Sequence, residues 1–129
     1  MESANIQIII QFYGIGNLKA KLVRHHAPLS ADAIIDKLPL VLRGRFGPTF
    51  KSKQYWTLPG VEIYKGLNTN AHKKVKKGAI VYNPKTDELM IILEDQELPT
   101  KVNLIGEVEI NLELVLKARN GLNTKIAPI

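Results

Sequence analysis

The stretch NIQIIIQFYGIGNLKAKL, residues 5–22, indicates the fold class of this protein. Even-numbered positions from Ile6 to Phe12 are apolar and glutamine occupies two of the positions between them, which is the period of a half-buried β-strand. Residues 14–17, Gly-Ile-Gly-Asn, tolerate the positive φ angles that a tight hairpin requires. Apolar residues then alternate with lysine from residue 18 to residue 22. The stretch therefore predicts an antiparallel hairpin with one solvent-exposed face.

Composition indicates one globular domain that spans residues 1–129. Hydrophobic residues make up 45% of the 129-residue chain and charged residues 23%, close to the average for globular domains. The absence of cysteine excludes thiolate nucleophiles and thiolate metal sites, and it agrees with a cytoplasmic protein. The first residues lack the basic start and apolar run of a signal peptide, and we expect no association with membranes.

The remainder of the chain predicts further short strands and two brief helices. Ser30 is a candidate N-cap for a helix that Pro39 ends, and residues 43–54 have no usable periodicity and predict a loop. The other predicted elements are strands over residues 55–64, 79–82, 88–93, 101–109 and 122–126, and a second helix over 111–120. This pattern is typical of a mainly β fold or a small closed barrel.

Positive charge is concentrated in the first part of the chain. Residues 1–77 hold thirteen Lys and Arg against four Asp and Glu, whereas residues 78–129 hold five against eight. Lys51, Lys53 and the run Lys73–Lys77 would attract phosphate, so association with nucleic acid is one interpretation. The alternative is an ordinary solvated surface that is rich in lysine.

Arginine and aromatic side chains cluster once in the irregular part of the sequence. Arg43, Arg45 and Phe46 precede Tyr55 and Trp56 by about ten residues. Because arginine binds carboxylates and phosphates bidentately and aromatic rings offer contact area, these residues predict a binding site for a small anionic ligand or a peptide. In the alternative interpretation, the aromatic rings cover the core and the arginines remain solvated.

Other candidate sites are weaker. Glu62 is predicted to share a strand face with Tyr64 and would gain an acid–base role if its carboxylate met Glu94 or Asp95 in a cavity. Adjacent His25 and His26 would point to opposite faces of a strand, so the sequence predicts no metal site. No cofactor-binding motif is present, and the oligomeric state is left open.

Several motifs resemble those of a small prokaryotic cyclophilin-like family. They are residues 75–84 (VKKGAIVYNP), 89–93 (LMIIL), 99–100 (PT), 102–108 (VNLIGEV) and the Glu-x-Tyr of residues 62–64. The opening hairpin and the short helix follow the same order as in that family. The resemblance implies a closed or nearly closed, mostly antiparallel β-barrel with two helices, similar to cyclophilin.

The resemblance does not imply an activity. The Phe-His-Arg and Gln-Gly-Gly-Asp segments of isomerising cyclophilins are missing, and a shared fold does not imply a shared site. We therefore expect a domain that binds a small anionic ligand or a peptide at the mouth of a barrel without catalysis, at Arg43, Arg45, Phe46, Tyr55, Trp56, Glu62 and Tyr64. The alternatives are a basic protein associated with nucleic acid and a diverged peptidyl-prolyl isomerase.

Overall fold

The computed structural model describes residues 5–24, 27–49 and 51–129, and within these ranges the chain forms ten strands and two helices. The elements are β1 (Asn5–Phe12), β2 (Gly16–Val23), α1 (Pro28–Lys37), β3 (Leu40–Arg43), β4 (Arg45–Gly47), β5 (Tyr55–Pro59), β6 (His72–Val75), β7 (Ala79–Asn83), β8 (Glu88–Ile92), β9 (Gln96–Ile110), a 3₁₀ helix (Leu112–Lys117) and β10 (Asn123–Pro128). The prediction of a mainly β fold with two short helices is confirmed.

The strands form one antiparallel sheet in the order β3-β10-β1-β2-β9-β7-β8-β5-β4, and β6 pairs with β9 outside this path. The predicted opening hairpin is present as β1 and β2, with Ile8 opposite Ala20 and Ile10 opposite Leu18. The long β9 pairs with β2, β7 and β6 in turn, and its register shifts relative to each of these strands. β9 therefore connects the main sheet to β6.

The prediction was a closed or nearly closed barrel, and the sheet is not closed. Its two edge strands, β3 and β4, follow one another in sequence through Gly44, but no described residues form a ladder between them. At this corner the backbone N–H of Phe46 donates to Oδ1 of Asn120, at 2.7 Å, instead of to a neighbouring strand. The backbone N–H and C=O of Gly44 bond to residues 122 and 121.

Two apolar clusters lie on opposite faces of the sheet. The inner cluster contains the alternating residues of the opening hairpin together with the buried side of α1, and it includes Phe12, Trp56 and Tyr82, each of which is fully buried. The outer cluster lies where β6 and the first half of β9 cover the outer face of β7 and β8. Its buried members are Val75, Val81, Met90, Ile92, Leu98 and Val102.

Several element boundaries differ from the predictions. Ser30 does not cap α1, because the helix begins at Pro28, a residue suited to a first turn, and the Ser30 hydroxyl accepts a hydrogen bond from buried Asn103 at 3.0 Å. The predicted loop over residues 43–54 contains β4, and the strand predicted over 55–64 ends at Pro59. The second helix is a single 3₁₀ segment, and β9 begins five residues before the predicted start at residue 101.

Candidate ligand-binding site

The sheet separates the residues of the predicted arginine–aromatic site. Phe46 and Trp56 point inward and are buried, whereas Arg45 and Tyr55, on the alternate positions of β4 and β5, face outward. Arg43 is exposed at the end of β3 and lines none of the cavities described below. The structure thus brings Arg45 and Tyr55 together on the outer face and places the two apolar rings in the core.

Trp56 is a core residue and not a platform for a ligand. Its ring centroid lies 4.9 Å from that of Phe46, nearly perpendicular, and 5.5 Å from that of Phe12. The indole N–H donates to the Thr124 hydroxyl at 3.2 Å, so the one polar atom of the ring is also satisfied. The alternative interpretation, in which these rings cover the core, is confirmed for Phe46 and Trp56.

Glu62 and Tyr64 lie in an irregular segment and not on a strand face. Both have positive φ, and the backbone N–H groups of residues 62–64 point at the carboxylate of Asp87, with N–O distances from 2.6 to 3.3 Å. The Tyr82 hydroxyl donates to the same carboxylate at 2.6 Å. The predicted shared face of Glu62 and Tyr64 is therefore wrong, because the backbone turns after Pro59 to enclose Asp87.

Glu62 does not meet Glu94 or Asp95. Glu62 lies beside Asp87, at the start of β8, whereas Glu94 and Asp95 follow the end of that five-residue strand. A strand of that length separates its two ends by about 17 Å. The paired carboxylates that acid–base chemistry would need are not formed.

A cleft of about 520 Å³ opens on the outer face of the sheet. It crosses β7 and β9 and is bordered on one side by β6 and on the other by the end of β2. Its apolar side chains are Val23, Val75, Ala79, Val81, Val102 and Leu104. An apolar floor of this size in an otherwise charged surface is typical of a site for a small molecule.

Four lysines surround this cleft, and three of them are free to meet a ligand. The Lys21 ammonium forms an ion pair with Glu107 at 3.1 Å. Lys74, Lys76 and Lys77 also line the cleft, and none of the three side chains has an ion pair with a described residue. Asp95 and Glu97 lie near Lys74 and Lys76 and offset part of this charge, but the four lysines still outnumber the nearby carboxylates, so the rim favours an anion.

The lysines are held at the rim by the backbone around them. The Lys77 N–H donates to the Asp95 carboxylate at 2.8 Å, and Gly78, with a φ of 91°, turns the chain from β6 into β7. The Gly78 N–H then donates to the carbonyl of Ile92, also at 2.8 Å. The sequence predicts no strand in residues 72–77, and β6 forms there through its pairing with β9, with Val75 as its one buried side chain.

No three His, Asp or Glu side chains within the described ranges are placed to hold a metal ion, and His25 and His26 lie outside those ranges. Among the described helices, none has the length and apolar character needed to cross a membrane.

Comparisons with known proteins support the fold and leave the family open. No protein-family model matches the chain, and a search of curated proteins gives no match. The solution structure of the hypothetical protein AF2241 from Archaeoglobus fulgidus is similar, with a TM-score of 0.77 and 16% identity over 99% of this chain and 98% of that one. The structure of McbB in complex with tryptophan has a TM-score of 0.75 and 13% identity over 94% of this chain. This chain spans 44% of the McbB chain, and at such low identity both likenesses concern the fold alone.

Proposed function

We propose that this protein binds a small organic anion with an apolar body in the lysine-rimmed cleft, without catalysing a reaction on it. The observation that carries the proposal is the combination of an apolar floor with Lys74, Lys76 and Lys77, whose ammonium groups have no carboxylate partner among the described residues. The ligand class is the one predicted from the sequence, but the site lies at β6 and not at the arginine–aromatic cluster.

The apolar floor of the cleft would contact the apolar body of the ligand, and the lysines of the rim would contact its anionic group. Burial of apolar surface contributes about 0.8 kcal/mol for each methylene group removed from water, and this sets the affinity. Exposed ammonium groups contribute less, about 0.2–1 kcal/mol each, but they select the sign of the charge. Because lysine is a point charge without the planar fork of arginine, the rim supports a carboxylate as readily as a phosphate or sulfate.

The proposal extends to the fold family and the compartment. We infer a cyclophilin-like architecture that is left open at the Gly44 corner, on the strength of the sequence motifs and the order of the elements. The absence of cysteine supports a cytoplasmic protein. A prolyl-peptide isomerisation assay is expected to give only the uncatalysed rate.

The test is calorimetric titration with acetate, butyrate, hexanoate and octanoate, and with octylamine as the control of opposite charge. Affinity is expected to rise about fourfold for each added methylene, and octylamine is expected to bind more weakly than octanoate. The double variant Lys74→Gln/Lys76→Gln should weaken octanoate binding by roughly 2- to 30-fold at low salt, since each lysine contributes about 0.2–1 kcal/mol. Lys85→Gln, an exposed lysine in the turn after β7, is the matched control.

Two results would contradict the proposal. One is equal binding of octanoate and octylamine, which would show that the rim does not select charge. The other is an absence of binding by any carboxylate together with steeply salt-dependent binding of a single-stranded oligonucleotide, which would favour the nucleic-acid alternative.

A further inference from the structure

A second cavity lies on the outer face of the sheet, away from the lysine-rimmed cleft. It has a volume of about 320 Å³ and is formed where β4, β5 and β8 run side by side. One cation and one anion, Arg45 and Glu88, line its walls, whereas four lysines and one glutamate line the cleft. The function proposed above does not use this cavity.

Strand register places the two charges at opposite sides of the cavity. Arg45 is paired with Thr57 across β4 and β5, and Glu88 is paired with Pro59 across β8 and β5. β4 and β8 are therefore separated by one intervening strand, which sets their backbones about 10 Å apart. Both side chains face outward because Phe46 and Leu89, their neighbours in sequence, lie in the inner cluster.

Neither charge is neutralised by the protein around it. Arg45 and Glu88 form no ion pair with each other or with any other residue in the described part of the chain. The Thr57 hydroxyl donates a hydrogen bond to Oε2 of Glu88, which holds that carboxylate in place on the sheet. A solvent-exposed guanidinium and a carboxylate held by Thr57 thus line the same cavity on one surface of the sheet.

Tyr55 lines the cavity opposite Gly47, two residues along β4 from Arg45. A Cβ atom added to Gly47 would lie 2.3 Å from Cε1 of Tyr55, so the phenol ring rests directly against the glycine of the neighbouring strand. Burial and the negative charge of Glu88 raise the pKa of this phenol, and Arg45 acts in the opposite direction. The hydroxyl is accordingly neutral at physiological pH and available to donate or accept a hydrogen bond.

We propose that this Arg45–Glu88 cavity binds a small zwitterion, with the carboxylate of the ligand on Arg45 and its ammonium group on Glu88. A ligand with one charge would pair with either Arg45 or Glu88 and leave the other without a partner, whereas a zwitterion would pair with both. The spacing of β4 and β8 favours a ligand whose two charges are separated by several bonds over an α-amino acid. Arginine suits this role because its fork binds a carboxylate bidentately.

The experiment is an amide-resolved NMR titration with glycine, 4-aminobutyrate and 6-aminohexanoate, with butyrate and butylamine as single-charge controls. We expect shifts at the amides of β4, β5 and Glu88, and an affinity for 4-aminobutyrate or 6-aminohexanoate at least tenfold higher than for either control. Arg45→Gln and Glu88→Gln should each remove that advantage. Arg43→Gln should keep it, because Arg43 is an exposed arginine two residues before Arg45 that does not line the cavity.

The same spectra show whether each variant is folded, so loss of binding is separated from loss of structure. The proposal is overturned if the zwitterions bind no better than butyrate or butylamine, or if their advantage survives in both Arg45→Gln and Glu88→Gln. It is also overturned if the shifted amides belong to β6 and the lysine-rimmed cleft.

Discussion

Replacing Gly44 with alanine tests the packing of the open corner of the sheet. A Cβ atom at this position would lie 2.2 Å from both Cε2 and Nε1 of Trp56, far inside van der Waals contact. The indole cannot move aside, since Phe12 and Phe46 pack against it and Thr124 accepts its N–H hydrogen bond. The backbone of Gly44 is equally fixed, by hydrogen bonds to residues 121 and 122.

The expected loss of stability for Gly44→Ala is about 3 kcal/mol. Overpacking of a dense core costs about 1–3 kcal/mol, and two immovable neighbours place this substitution at the upper end of that range. Urea unfolding measures it, with far-UV circular dichroism as the signal so that variants without tryptophan are comparable. Gly66→Ala is the control, because no atom lies within 4 Å of a Cβ at that position, and its stability should change by less than 1 kcal/mol.

A double-mutant cycle with Trp56→Leu assigns the cost to the indole ring. Removal of the ring opens the space that the new methyl group needs, so Gly44→Ala should cost less than about 1 kcal/mol in the Trp56→Leu background. A cost that is the same in both backgrounds would refute the reasoning. A change below 0.5 kcal/mol in the wild-type background, which is about the size of an ordinary surface substitution, would refute it as well.

Three further predictions concern the ends and the centre of the sheet. Burial acts to raise the pKa of Asp87, but hydrogen bonds from Tyr82 and from the amides of residues 62–64 outweigh it and hold the pKa below the ordinary value of 3.8. The carboxylate therefore stabilises the fold above pH 3.8, and this contribution is lost as pH falls. The free energy of unfolding of Asp87→Asn, measured with urea from pH 2 to pH 6, should therefore depend less on pH than that of the wild type. Burial and the hydrogen bond to Asp87 raise the pKa of Tyr82 to about 12. The contribution of the neutral phenol to the stability of the fold is therefore lost as pH rises from 10 through 12. Tyr82→Phe should remove one phenolate from a titration of the protein followed by absorbance. Gly106→Ala would place its Cβ 2.2 Å from the backbone carbonyl oxygen of Lys21, and we expect no dispersed NMR spectrum from this variant because the β2–β9 ladder cannot form around it.

The sequence predicts strands well where a single strand carries its own alternation. β1 and β2 are visible because buried and exposed residues take turns, and β8 is visible because its apolar run is bounded by polar residues. β6 is missed since His72, Lys73 and Lys74 are all exposed, and only its pairing with β9 makes it a strand. Closure of the sheet is likewise a tertiary property, because it depends on which group satisfies the N–H of Phe46.

The candidate sites were only half predictable for a similar reason. The alternation within residues 55–58 indicates that Trp56 and Leu58 share one face of the strand and that Tyr55 lies on the other face. This pattern is enough to assign Trp56 to the core and Tyr55 to the surface. The lysine-rimmed cleft has no such signal, because its apolar side chains come from β2, β6, β7 and β9 and are brought together only when these strands pair. Sequence identifies the lysines of the rim but not the cavity they surround.

The position of β10 has a consequence for how the protein is made. β10, residues 123–128, lies between β1 and β3, which are both synthesised about 80 residues or more before it. While the ribosome is still translating the middle of the message, β1 and β3 have no partner at their facing edges, and unpaired edges invite wrong pairing with other nascent chains. β3 can therefore join the sheet only after β10 has left the exit tunnel, although β3 itself is synthesised much earlier.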